Sequence, residues 1–124
     1  MPLHYNIDPK ERLVRIVGTG VVSMSSTIAE VERVAADPRF EPRFMVIFDL
    51  REVHYEAELK DGDELAAVLR QKKSDFQNKF AVVVPGSLLL LVKLYCLLAN
   101  MAGFEKIMPF TDMEEAEKWC SAQA

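Results

Sequence analysis

The residues whose types and spacing come nearest to chemistry lie in the stretch Phe48-Asp49-Leu50-Arg51-Glu52-Val53-His54-Tyr55-Glu56-Ala57-Glu58. His54 stands within a few residues of Asp49, Glu56 and Glu58, and an imidazole beside a carboxylate is an ordinary acid–base pair. The stretch also follows an apolar run, where open α/β sheets place their ligands. Yet no Ser or Cys nucleophile stands nearby, and alternation sends many of these side chains to the surface. A solvated loop accounts for the segment more simply, with Asp49 capping a turn at the strand end.

Two further patterns resolve the same way. Pro85-Gly86-Ser87 joins a strand to a helix start, where free amides bind anions, but one glycine is far from a phosphate-cradling loop and Ser87 serves as an N-cap. Cys96 and Cys120 are the only cysteines, and with His4 and His54 they show no metal-ligand spacing. Two distant thiols in helical patterns read as reduced packing residues. The expectation is therefore no catalytic residue, no metal and no cofactor: a protein that is not an enzyme.

Composition narrows the alternatives. The 124 residues carry a net charge of −4, whereas nucleic-acid binding needs a concentrated basic surface. Lys72-Lys73 is the longest basic run, so a polybasic membrane anchor is excluded as well. The first residues, MPLHYNIDPKER, contain no apolar leader, which places the chain in the cytoplasm by default. Residues 1–124 are expected to form one domain.

The elements that must position these residues follow from periodicity. Leu3–Ile7 alternates, Asp8-Pro9-Lys10-Glu11 is a turn, and Leu13–Val17 is extended again, with Gly18 and Gly20 punctuating its exit. Thr27-Ile28-Ala29-Glu30 has capping-box form, opening a helix with Ile28, Val31, Val34 and Ala35 on one stripe and Glu30 elsewhere on the wheel. Phe44–Phe48 and Phe80–Val84 are apolar throughout, as strands covered on both faces must be. Between them Leu65, Val68, Leu69 and Phe76 share a helical side. Lys106–Phe110 is a short last strand with Pro109 marking an edge, and Thr111-Asp112-Met113-Glu114 is a second capping box before Ala116, Trp119 and Cys120. The order is ββαβαβαβα: an α/β fold with a mixed, mostly parallel sheet covered by helices.

The helix over 87–102, SLLLLVKLYCLLANMA, is apolar nearly all round. At 1.5 Å per residue it spans about 24 Å, short of the roughly 30 Å hydrocarbon core, and Lys93 sits near its middle. It is not transmembrane. Leu90, Leu94, Leu97 and Met101 make a core stripe, with Lys93 and Asn100 on the solvent line beside Leu89 and Cys96. That leaves more apolar surface than a solvated helix needs, and such a surface serves a ligand, a partner or a second subunit.

Gly18-Thr19-Gly20-Val21-Val22-Ser23, Phe48-Asp49-Leu50-Arg51-Glu52-Val53, Phe80–Pro85 and Phe110–Trp119 occur in an order and spacing that resembles the stand-alone SpoIIAA-like family, also described as STAS/SEC14-like, nearly end to end. Related antagonist domains switch partners through a phosphorylated serine. The resemblance lays that segment on Ala57-Glu58-Leu59-Lys60, which has no hydroxyl; Glu58 could stand in as a fixed negative charge. The resemblance implies a non-catalytic domain, and its SEC14 side implies a lipid or other hydrophobic small molecule, admitted by a helix that moves off the sheet, here hinged at Gly86 and Gly103. The expected contact residues are Leu88, Leu89, Val92, Tyr95 and Cys96, with the Tyr95 hydroxyl as a polar handle. The alternative is a protein–protein regulator or homodimer using the same surface together with the 54–61 segment.

Overall fold

Alternation, turn chemistry and two fully apolar strands build a single five-stranded sheet. The computed structural model describes residues 2–122. In chain order the elements are β1 (Leu3–Asp8), β2 (Leu13–Ser23), α1 (Met24–Ala36), β3 (Met45–Glu56), α2 (Asp61–Gln71), β4 (Phe80–Val83), a 3₁₀ turn (Gly86–Leu88), α3 (Leu89–Met101), β5 (Ile107–Phe110) and α4 (Met113–Ser121). The strands lie side by side in sequence order, β1-β2-β3-β4-β5. The β1–β2 pair is antiparallel and the other three pairs are parallel. The expected ββαβαβαβα order and mixed sheet are what the chain forms.

The two faces of the sheet are covered unequally. Val46, Phe48, Phe80 and Val82 point to the main core with Val31 and Val34 of α1, Leu69 of α2, and Cys96 and Ala99 of α3. The alternate residues Ile47, Ala81 and Val83 point the other way, to Ala116 and Cys120 of α4. Both faces being covered is why β3 and β4 begin as unbroken apolar runs.

Several local expectations need correction. Gly18 and Gly20 do not end the second strand; β2 runs on to Ser23, paired with β3 as far as Glu56. A register shift between Val17 and Thr19 bends the pair there. Gly18 is required at the bend, because a Cβ would sit 2.8 Å from both Leu3 Cδ2 and Val53 Cγ1, and Gly20 takes φ +75°. The supposed loop after Phe48 is thus strand, forming a two-stranded arm that projects past β4.

The N-cap of α1 is Ser23, in a capping box with Ser26, rather than Thr27, whose hydroxyl donates to the Ser23 carbonyl at 2.9 Å. Glu30, expected outward, is buried and neutralised by Arg33. Asp112, not Thr111, caps α4 by accepting the Glu114 N–H at 2.8 Å. Ser87 lies inside the 3₁₀ turn, and α3 starts without a side-chain cap. Its other end closes as expected at Gly103, with φ +99°. Phe104 N–H donates to the Ala99 carbonyl and Gly103 N–H to that of Asn100, which is a Schellman motif.

Candidate functional site

An apolar pocket in the main core lies between the sheet and α1, α2 and α3, with a volume of about 70 Å³. Phe48 and Leu50 of β3, Phe80 and Val82 of β4 and Ile107 of β5 form its floor. Met24, Thr27 and Val31 of α1 and Leu65 and Leu69 of α2 form its sides. Four of the five residues expected from sequence stand in its wall: Leu88 and, from α3, Val92, Tyr95 and Cys96. The fifth, Leu89, packs against the same core outside the wall.

The orientation of α3 reverses the stripe assigned from sequence. Leu90, Leu94, Leu97 and Met101 are not core: they are 83%, 50%, 54% and 77% exposed. The buried residues are Tyr95, Cys96 and Ala99, while Lys93 and Asn100 are exposed as expected. A helix apolar on all sides gives its own wheel no contrast, so packing decides. On its inner side α3 packs closely on α2, where a Cβ on Gly62 would meet Leu98 Cδ1 at 2.9 Å and the Tyr95 ring at 3.3 Å. Gly62 lets the two helices approach closely at Tyr95.

One end of the pocket carries the site's polar groups. The Tyr55 hydroxyl donates to Asp61 Oδ2 at 2.5 Å, and the Glu58 N–H donates to the same oxygen at 2.8 Å. The Tyr55 and Tyr95 hydroxyls are 3.4 Å apart with their rings edge to face. Asp61 itself is 2% exposed. Burial, then the bond to Asp61, pushes the Tyr55 phenol far above its usual range. Burial likewise pushes the Cys96 thiol up to about 12. Both stay protonated at neutral pH, so the pocket wall offers an uncharged, almost wholly apolar surface.

Sequence reasoning missed Tyr55 and Asp61. The signal for Tyr55 was present: Glu52-Val53-His54-Tyr55-Glu56 alternates, and in the β3 arm Val53 and Tyr55 turn inward while Glu52, His54 and Glu56 turn out. Asp61 has no comparable signal, since its burial depends on where Tyr55 arrives. The acid–base pair considered for this segment is not assembled. Asp49 is gripped by Arg51, from Nε at 3.0 Å and Nη2 at 2.9 Å, and also accepts the Arg51 N–H at 3.1 Å. That grip holds the Asp49 carboxyl below its usual range, and His54 projects outward from the arm. Residues 57–60 form the exposed turn into α2. Among the described residues no group of three or more His, Cys, Asp or Glu side chains converges as a metal site, and no helix is long and apolar enough to cross a membrane.

No protein-family model and no curated protein matches the chain. A solved structure does: an uncharacterized protein of the DUF3478 family from Shewanella loihica PV-4, with a SpoIIAA-like fold. The two share 13% sequence identity with a TM-score of 0.60, over 95% of this chain and 91% of that one. At that identity the likeness establishes the fold, which is SpoIIAA-like.

Proposed function

We propose that this SpoIIAA-like chain is a non-catalytic binding domain that takes up a hydrophobic, lipid-like small molecule beside α3. One observation carries the reading: the inner face of α3 walls an apolar pocket in the main core, where a close-packed protein would have side chains. At about 70 Å³ the pocket is smaller than the roughly 300 Å³ of ordinary ligand sites. Uptake therefore requires α3 to shift outward. That shift breaks no cap and no dipole–charge pairing, because α3 has no side-chain cap at its start and no charge complementing its dipole at either end. Leu88, Val92, Tyr95 and Cys96 are the proposed contacts, with Leu89 behind them.

A second reading rests on a different observation. Leu90, Leu94, Leu97 and Met101 are spaced 4, 3 and 4 apart, the seam spacing of paired helices, and all four are at least half exposed. A second copy packed α3 against α3 would cover them.

Native mass spectrometry of the purified protein separates the two. A monomer carrying a few hundred extra daltons, released on denaturation, supports the pocket. A bare dimer that Leu94→Lys with Leu97→Lys converts to monomer assigns α3 to self-association instead. A bare monomer that takes up no hydrophobic probe sinks both.

A further inference from the structure

Resting on the pocket reading above, we infer that the pocket selects an uncharged apolar molecule bearing one hydrogen-bonding oxygen, and turns away a fatty-acid anion of the same chain length. The walls contain no Lys, Arg or His, so a buried carboxylate would find no countercharge. The charge nearest the tyrosine end is of the wrong sign: Asp61, buried directly behind Tyr55. Two of the wall's hydroxyl protons are already committed. Thr27 donates to the Ser23 carbonyl at 2.9 Å and Tyr55 donates to Asp61 at 2.5 Å.

Only the Tyr95 hydroxyl is loosely held. Its 3.4 Å separation from Tyr55 is long beside the 2.5–3.0 Å of a good O–H···O bond, so a ligand oxygen can replace that contact at little loss. One donor suffices for an alcohol, aldehyde, ketone or ester oxygen. A carboxylate needs two or three donors and would face Asp61 across Tyr55. The Cys96 thiol, held protonated by the same apolar surroundings, shows how poorly this wall supports a negative charge.

The test compares 1-dodecanol, dodecanoic acid and dodecane on the whole chain at pH 7.4, followed by amide chemical shifts along α3. The expected result is dodecanol binding at least tenfold more tightly than dodecanoic acid, with the acid gaining affinity as the pH falls to about 5 and it takes up its own proton. Tyr95→Phe should weaken dodecanol about fivefold and leave dodecane unchanged. Dodecanoic acid binding as tightly as dodecanol at pH 7.4 overturns the selectivity while leaving the pocket standing. An equal loss of dodecanol and dodecane in Tyr95→Phe overturns the hydroxyl contact. If none of the three probes perturbs Val92, Tyr95 or Cys96, the pocket reading falls and takes the selectivity with it.

Discussion

The helices α3 and α4 each follow a short strand and each bring a cysteine to the sheet, yet they are held in different ways. Local chemistry pins α4 at both ends. Asp112 caps its start, Glu114 and Glu115 sit in its first turn, and Lys79 reaches across to donate to the Trp119 and Ala122 carbonyls at 2.7 and 2.6 Å. The same ammonium lies 5.5 Å above the Trp119 ring, which packs on Phe110. The start of α3 has none of this, and only a backbone motif and the Asn100 amide, donating to the Phe104 carbonyl at 3.0 Å, finish its far end. Apart from that C-terminal end and the long Tyr95–Tyr55 hydroxyl contact, α3 is held by burial, through small and apolar contacts on one face. A helix fixed by capping and charge resists displacement. A helix fixed by burial can move if something else fills the space.

Three perturbations bear on that contrast, in descending order of expected effect. Trp119→Ala should lower the unfolding free energy by about 2–3 kcal/mol in a denaturant titration. It should leave probe binding at the pocket unchanged, because α4 lies on the opposite face of the sheet. A parallel loss of binding would mean the two faces are not independent. Gly62→Val places a side chain against Leu98 and Tyr95 and should cost about 1–2 kcal/mol. Hydrogen exchange should quicken along α3 and not along α4. If α3 in the unmodified protein is instead among the best-protected segments, the movable-wall idea has no basis.

The smallest effect concerns the two thiols. Burial pushes Cys96 up to about 12 and Cys120 up to about 11. A thiol whose pKa is raised by folding contributes stability fully below its unfolded value, near 8.5, and loses that contribution as the pH rises through the folded value. Stability should therefore decline between about pH 9 and 12, and Cys96→Ala should flatten that alkaline limb more than Cys120→Ala. At pH 8, iodoacetamide should reach Cys96 faster, through excursions of α3, and dodecanol should slow Cys96 without affecting Cys120. Equal rates with and without the alcohol would erase the distinction between the faces.

How much of this was legible beforehand divides along the same line. Strand order, helix order and the covered β3 and β4 followed from periodicity, because burying both faces leaves an unmistakable apolar run. The start of α4 falls one residue from the sequence expectation, since Thr111 and Asp112 are both good caps. The helix α3 was read upside down, since Leu90, Leu94, Leu97 and Met101 form as good a stripe as the one actually buried. The glycines 18, 20 and 62 carry tertiary information that no single-chain pattern exposes: each is explained by a neighbour distant in sequence or by a bend that pairing imposes. Asp61 was invisible for the same reason.

The outermost strand has a consequence for how copies of this chain can meet. Phe80 N–H donates to the Lys106 carbonyl and Val84 N–H to the Phe110 carbonyl. The alternating pattern of a strand then directs the backbone groups of Ile107 and Pro109 away from β4, along the sheet's open margin. Pro109 has no N–H to offer there, which leaves Ile107 the one outward donor within β5. With one donor in four residues that margin is a poor template for another strand, so association on this side favours side-chain contacts over continuing the ladder.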